Sequence, residues 1–137
     1  MPSTASTKDA VLAELVSLAL PEGPQRDGLL ADVRKREAQF TTALGDGIAM
    51  PHARSRHVSS LSLSVSRPQT PIEFNAADGR PVQIAFLVAS PADSPGVHIE
   101  ALRALSRLFQ DQDVMSDLRA ATSPEAFLDV LRLAEAR

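Results

Sequence analysis

The residues of this chain best suited to carry chemistry are its three histidines, because a neutral imidazole is a nucleophile near neutral pH. They are His52, His57 and His98. Pro51 restricts the backbone immediately before His52. Gly45 and Gly47 lie just upstream, and a glycine-rich turn can point its N–H groups at an anion. This segment suits a nucleophilic histidine on a rigid platform beside an anion site, although such a glycine turn also occurs next to histidines without a special task.

Other candidate residues each have a structural explanation as well. His57 lies in a polar connection before a strand and is expected to be an exposed, ordinary residue. His98 begins a predicted helix, whose positive end could bind an anion, or it is a helix-start histidine without a special task. Arg36 ends a predicted helix, and its guanidinium suits both bidentate phosphate binding and capping of that helix.

Composition excludes several classes of site and partner. The chain of 137 residues contains no cysteine, so disulfides, thiolate metal sites and cysteine nucleophiles are excluded. A metal site built from the three histidines is an alternative, although His52 and His57 are not spaced as a helical i, i+4 pair. A net charge of −3 and the absence of Tyr and Trp argue against a nucleic-acid partner. Without a secretion signal or a long apolar run, we expect a cytoplasmic protein that does not insert into membranes.

Hydrophobic periodicity predicts the elements that must position these residues. A first helix, capped by Thr7 or Ser6, is expected to run to about Leu20. The chain then breaks at Pro21, Gly23 and Pro24, and a second helix is expected from about Arg26 to Ala38. Alternation of Leu and Ser over 60–66 predicts a half-buried strand with its apolar side inward, and Val82–Ala89 predicts a central strand. Further helices are expected at His98–Phe109, at Val114–Ala121 and after Ser123-Pro124. Together these elements predict one α/β domain over residues 1–137, with a mixed sheet covered by helices.

Three segments of the chain resemble a known family. The segment from Arg36 to His52, REAQFTTALGDGIAMPH, resembles the signature of type-2 enzyme IIA domains of the phosphotransferase system, the fructose, mannitol and nitrogen-regulatory type. The segments Pro81–Pro91 and His98–Leu102 are similar to the buried strand and the second histidine block of that family. The resemblance covers about residues 8–131. It implies the mannitol-type IIA fold, an α/β/α sandwich with helices on both sides of the sheet.

The resemblance also implies a function and a role for each matching residue. His52 would accept a phosphoryl group at Nε2, and His98 and Arg36 would stabilise the phosphoryl oxygens. Thr42 would orient the imidazole or the phosphoryl group. The donor would be the histidine phosphocarrier HPr or its nitrogen-branch relative, and the acceptor would be a cysteine of a IIB domain or, in a regulatory member, the phosphoryl group would act as a switch on a target protein. No cofactor or metal is implied.

The chain departs from this family in three places. Family members commonly begin with a short apolar strand, whereas residues 1–6 contain none and are expected to be a disordered N-terminus. A sheet edge left uncovered in this way would favour a homodimer. Met50 replaces the usual Ile or Val, and Pro95 and Gly96 could set His98 differently. The alternative function is a sensory or binding module that retains the fold and transfers no phosphate.

Overall fold

The computed structural model describes residues 7–121. The chain forms two compact units, residues 1–98 and 99–137, and each is described by itself. Within the described part of the chain, no helix is both long and apolar enough to cross a membrane. The expected N-terminal disorder and the helix after Ser123-Pro124 lie outside the described residues. The expectation of one domain over 1–137 stays a prediction.

Two helices begin the first unit. Helix α1 spans Lys8–Ala19, and the hydroxyl of Thr7 accepts a hydrogen bond from the backbone N–H of Ala10 at 3.1 Å, as expected of the predicted N-cap. Helix α2 spans Pro24–Gln39. The predicted break is confirmed at Pro21 and Gly23, but α2 begins two residues earlier than predicted, because Pro24 occupies its first turn, where a missing N–H costs no hydrogen bond. The apolar faces are buried as predicted, through Val11, Leu12, Leu15 and Val16 of α1 and Leu29 and Val33 of α2.

Five of the described segments form one mixed sheet. They are β1 (Ala43–Gly45), β2 (Ile48–Ala49), β3 (His52–Ser55), β4 (Ser62–Ser66) and β5 (Ile84–Pro91). Strand β5 is central: β2 and β3 pair with it in parallel, one after the other, and β4 pairs with it in antiparallel orientation. The predicted central strand and the α/β class with a mixed sheet are thus confirmed.

Strand β4 buries the face opposite to the one predicted. Ser64 and Ser66 are buried, whereas Leu61 and Leu63 are 46% and 49% exposed. The small serine side chains allow α1 to pack closely against this face, and the hydroxyl of Ser66 donates to the carboxylate of Glu14 in α1 at 3.2 Å. The alternation located the strand correctly, but it could not show which side of the strand a helix covers.

Two more helices follow β5. Helix α3 spans Pro95–Phe109 and begins three residues earlier than predicted, because Pro95 is accommodated in its first turn. Helix α4 spans Gln112–Ala120, close to its predicted bounds. The carboxylate of Asp111 caps α4 by accepting hydrogen bonds from the N–H groups of Asp113 and Val114 at 3.0 and 3.2 Å.

Candidate active site

The chain between α2 and β3 reaches His52 through a tight hairpin. Strands β1 and β2 are joined by Gly45, Asp46 and Gly47, which have φ values of 97°, 55° and 80°. Glycine tolerates this left-handed region, and a Cβ at Gly45 would lie 3.3 Å from the carboxylate of Asp78. That carboxylate accepts the N–H of Asp46 at 2.9 Å. The glycines therefore shape a hairpin rather than the anion site that the sequence suggested.

His52 begins β3, and both of its ring nitrogens have a partner. Its Nδ1 lies 2.9 Å from the backbone carbonyl oxygen of Met50. Because a carbonyl can only accept, Nδ1 carries the hydrogen. Its Nε2 accepts a hydrogen bond from Nε of Arg36 at 3.2 Å, and a guanidinium can only donate. Both contacts therefore leave the lone pair on Nε2, so that Nε2 is the ring nitrogen able to act as a nucleophile. Since Met50 acts through its carbonyl, its unusual side chain does not alter this contact.

His98 lies beside His52, with the two ring centroids 5.5 Å apart and the rings tilted by 54°. It does not open α3 as predicted: the helix begins at Pro95, and the N–H of His98 donates to the carbonyl of Ser94 at 3.3 Å. Its side chain is largely buried, and Nδ1 is hydrogen-bonded to the hydroxyl of Ser90. Sequence analysis did not select Ser90; its only signal is its place at the end of the buried strand β5.

Arg36 shows the capping role considered for it, and its phosphate-binding role stays a prediction. It lies in the last turn of α2, where one terminal guanidinium nitrogen donates to the carbonyl of Phe40 at 2.9 Å and caps the helix. Its Nε donates to His52 at the same time. The guanidinium is therefore held next to Nε2 of His52.

Thr42 contributes to the site through its backbone. Its N–H donates to the buried carboxylate of Glu37 at 3.1 Å, and its carbonyl accepts from the N–H of Met50 at 3.0 Å. Its hydroxyl is buried and has no hydrogen-bond partner among residues 7–121. The predicted orienting role of this hydroxyl stays a prediction.

An open pocket of about 500 Å³ contains both histidines. Its charged lining consists of three cationic side chains and one carboxylate, and the uncharged remainder is Gln39, Ala53 and Ala92. The cations are Lys35, Arg36 and Arg54, and the carboxylate is Asp32. The hydroxyl of Ser55 donates to Asp32 at 2.7 Å. This cationic excess around two imidazoles suits a phosphoryl group, whose oxygens need several donors.

The surroundings of both histidines favour the neutral form. Burial lowers the pKa of His52 below the usual value of about 6.5, and the nearby Arg36 charge lowers it further, while the Met50 carbonyl and the Glu37 charge act in the opposite direction. Burial also lowers the pKa of His98, with smaller contributions in the same direction from His52 and Arg54. A neutral imidazole is the form required for nucleophilic attack.

His57 does not line this pocket. Its ring packs on α2 at Gly28, where a Cβ would lie only 2.3 Å from the ring, and its Nδ1 lies 2.7 Å from Oε1 of Gln25. It is therefore partly buried and ties its loop to α2, in contrast to the exposed residue expected. Within residues 7–121, no group of three or more His, Cys, Asp or Glu side chains is arranged to hold a metal ion.

Comparison with known proteins connects this pocket to a family. The family model described as "Phosphoenolpyruvate-dependent sugar phosphotransferase system, EIIA 2" matches residues 1–133. The chain belongs to this family of type-2 enzyme IIA proteins. Its curated relatives include the "PTS system fructose-specific EIIA component" of Haloferax volcanii, 34% identical over 128 residues that make up 92% of this chain and 83% of that protein. They also include the "Nitrogen regulatory protein" of Bradyrhizobium diazoefficiens, 33% identical over 93% of this chain and 84% of that protein.

Solved IIA structures share the fold of this chain. The nitrogen regulatory protein IIA-Ntr from Neisseria meningitidis superposes with a TM-score of 0.85 at 24% identity, over 96% of this chain and 90% of that one. Enzyme IIA mannitol from Escherichia coli, solved in complex with phosphorylated enzyme IIB mannitol, gives a TM-score of 0.77 at 18% identity, over 100% and 93%. The predicted family and IIA fold are thus confirmed.

Within this IIA fold, three of the four predicted site residues come together. His52, His98 and Arg36 line one pocket, and Thr42 is not among the residues that line it. Sequence analysis missed the Met50 carbonyl, because a backbone acceptor leaves no trace in residue type. Three charged residues of the lining, Lys35, Arg54 and Asp32, were not predicted either, since surface charges are common and only the fold shows which of them converge.

Proposed function

We propose that Nε2 of His52 accepts a phosphoryl group from a histidine phosphocarrier of the HPr type. The group then passes to a cysteine of a IIB domain or serves as a regulatory switch. The observation that carries this proposal is the fixed tautomer of His52. The Met50 carbonyl keeps the hydrogen on Nδ1, so that Nε2 presents its lone pair to the pocket without losing a proton first.

The transfer step requires little from the protein beyond positioning and charge. The lone pair of Nε2 attacks the phosphorus of the donor phosphohistidine, a new N–P bond forms, and the donor's N–P bond breaks with its electron pair staying on the donor nitrogen. The Nδ1–H group keeps donating to the Met50 carbonyl, which stabilises the positive charge that the ring gains. Arg36 gives up its contact with Nε2 and pairs with the phosphoryl oxygens instead.

His98 and two more cations of the pocket, with Thr42 outside its lining, complete the proposed phosphoryl site. His98 donates to a phosphoryl oxygen from the second ring, 5.5 Å away between centroids. Thr42 has a buried hydroxyl without a described partner, which is available to orient the imidazole or the phosphoryl group. No metal or cofactor is needed in this scheme, because Arg36, Lys35 and Arg54 supply the positive charge.

Similarity to known proteins supports the choice of partners. A IIB-type acceptor is supported by the likeness in fold to a IIA solved with phosphorylated IIB. The sequence relatives include both a fructose-specific component and a nitrogen regulatory protein, so the proposal covers transfer to IIB and regulation alike. An HPr-type donor and a cytoplasmic location remain predictions from the family resemblance.

Intact-mass measurement tests the proposal. The protein is incubated with phosphoenolpyruvate, enzyme I and HPr, and separately with a nitrogen-branch donor. We expect one acid-labile, alkali-stable phosphate on the wild type and none on His52→Ala. His57→Ala is the matched control, because it removes a histidine that does not line the pocket, and it should be phosphorylated like the wild type.

Two outcomes would contradict the proposal. Phosphate that persists on His52→Ala would move the site to another residue. A wild type that takes up no phosphate from either donor would favour the alternative function, a sensory or binding module that retains the IIA fold.

A further inference from the structure

Ser90 is buried at the end of β5 with its hydroxyl directed at the second histidine of the pocket. It is 0% exposed, and its hydroxyl is hydrogen-bonded to Nδ1 of His98. Among residues 7–121, that nitrogen is the single hydrogen-bond partner found for this hydroxyl. A contact between two buried side chains with one partner each restricts both of them.

The direction of this hydrogen bond follows from what a buried hydroxyl requires. A serine hydroxyl can donate or accept, whereas each nitrogen of a neutral imidazole does only one of the two. If Ser90 accepted from Nδ1, its own hydrogen would be buried without an acceptor, which is costly. If Ser90 donates, its hydrogen has an acceptor and Nδ1 of His98 carries no hydrogen. The single hydrogen of the neutral ring then lies on Nε2.

We propose that Ser90 is a positioning residue that holds neutral His98 as its Nε2–H tautomer. Since Ser90 occupies Nδ1, Nε2 is the nitrogen left to interact with a group in the pocket. The tautomer itself depends only on the Ser90 contact, whereas its use in transfer rests on the proposed function. There, the Nε2–H group donates to an oxygen of a phosphoryl group on His52.

The two histidines would then present opposite tautomers to one pocket. Nδ1 of His52 donates its hydrogen to a carbonyl, which leaves an unprotonated Nε2 that can form a bond to phosphorus. Nδ1 of His98 accepts from the Ser90 hydroxyl, which leaves an Nε2–H that can donate to a phosphoryl oxygen. A carbonyl in the place of Ser90 would give a second bare nitrogen, and its lone pair would repel the phosphoryl oxygens. A hydroxyl beside Nδ1 therefore suits a donor histidine such as His98, and a carbonyl beside Nδ1 suits a nucleophilic histidine such as His52.

Nitrogen NMR of the full chain decides the tautomers. In ¹⁵N-histidine-labelled protein at a pH where both rings are neutral, long-range ¹H–¹⁵N spectra should show a protonated Nδ1 on His52 and a protonated Nε2 on His98. A protonated Nδ1 on wild-type His98 would overturn the proposal. This measurement involves no phosphate, so its result does not depend on whether the proposed function is correct.

Substitution then tests whether the tautomer matters. We expect Ser90→Ala to raise the fraction of the Nδ1–H tautomer of His98 and to slow phosphoryl uptake about tenfold, the lower end of what loss of the outer hydrogen-bond partner costs metal-ligating histidines. Ser90→Thr keeps the hydroxyl and should restore most of the rate. Ser64→Ala, which removes a buried serine hydroxyl from β4, should leave both readouts unchanged. Wild-type uptake and tautomers in folded Ser90→Ala would overturn the proposal.

Discussion

The neutrality of His52 and His98 arises from what surrounds the two rings. Burial removes the water that would solvate a charged imidazole, and Arg36 and Arg54 place positive charge close by. A second proton on either ring would therefore be unfavourable while the pocket is empty. Under the proposed function, a phosphoryl group on His52 would reverse this balance, because its negative charge would stabilise a positive charge on His98. The pocket would thus favour the neutral His52 before transfer and the phosphorylated form after it.

Histidine titration by NMR tests this account with two crossed substitutions. Both rings should titrate below the usual pKa of about 6.5. Arg36→Gln should raise the pKa of His52, because the guanidinium charge lowers it, and Arg54→Gln should raise the pKa of His98 for the same reason. Either ring titrating above 6.5 in the wild type, or equal shifts of both rings in both variants, would contradict the account.

The same pKa shifts fix the sign of a stability effect. Since the unfolded chain binds these protons more readily than the folded one, stability rises with pH between the folded-state pKa and about 6.5. The contribution of the two neutral rings to the free energy of unfolding is therefore fully present above pH 6.5. It is lost progressively as pH falls through the folded-state pKa values, and urea unfolding at several pH values should show that decline.

At the scale of elements, two ion pairs join α1 to α2, and they differ in burial. Nζ of Lys8 lies 2.9 Å from Oε1 of Glu37, whose side chain is only 4% exposed. Arg34 and Asp9 form the other pair at 2.7 Å, with side chains 48% and 64% exposed. The Glu37 carboxylate also accepts the N–H of Thr42, at the start of the chain segment that leads to His52. The buried pair therefore connects helix packing to the site.

We expect Lys8→Met to lower the free energy of unfolding by about 2 kcal/mol, because it leaves the buried Glu37 carboxylate without its cation. Arg34→Met is the matched control between the same helices, and it should cause no measurable change, because exposed pairs are well solvated. Urea unfolding of both variants measures the difference. Equal losses in the two variants would show that burial does not decide the value of these pairs.

How much the sequence predicted depended on the length of each element. The helices and β5 were predictable because their apolar patterns extend over many residues, and the cap at Thr7 has a specific signal. Strands β1, β2 and β3 are two to four residues long, too short for a period to emerge. The inward face of β4 was predicted wrongly, because covering by α1 is a property of the fold. For the site, residue types made His52, His98 and Arg36 candidates and the family resemblance selected them, whereas the Ser90 contact required coordinates.

At the scale of the whole molecule, charge is unevenly distributed. The chain carries a net charge of −3, yet the pocket lining has three cations against one carboxylate. In the proposed function, a phosphorylated donor would bring about −1.5 to −2 charges to this cationic surface. After transfer that charge would stay on His52 and offset the cations. Attraction for the next anionic donor would then be weaker, which would favour separation of the partners. The homodimer expected from the sequence stays a prediction; β4 is paired only with β5 among the described strands.

This charge distribution predicts that phosphoryl uptake is sensitive to salt. Raising ionic strength from about 0.01 M to 0.15 M shortens the screening length from about 30 Å to 8 Å, so the encounter rate with a phosphorylated donor should fall severalfold. Lys35→Gln should lower the rate of phosphoryl uptake at low salt and flatten its salt dependence. Lys35 lines the pocket but makes no hydrogen bond to His52, so this substitution changes the charge of the pocket and leaves the contacts of His52 in place. Stopped mixing with phosphorylated donor, followed by mass analysis, measures these rates.

Arg80→Gln is the control that separates local from overall charge. Arg80 carries the same charge as Lys35, but it pairs with Asp46 at 3.2 Å and does not line the pocket. The two substitutions change the net charge equally, so an effect of net charge alone would appear in both. If steering depends on the cations around the histidines, Lys35→Gln flattens the salt dependence and Arg80→Gln does not. Equal effects of the two variants, or a wild-type rate that salt does not change, would rule out steering by the pocket.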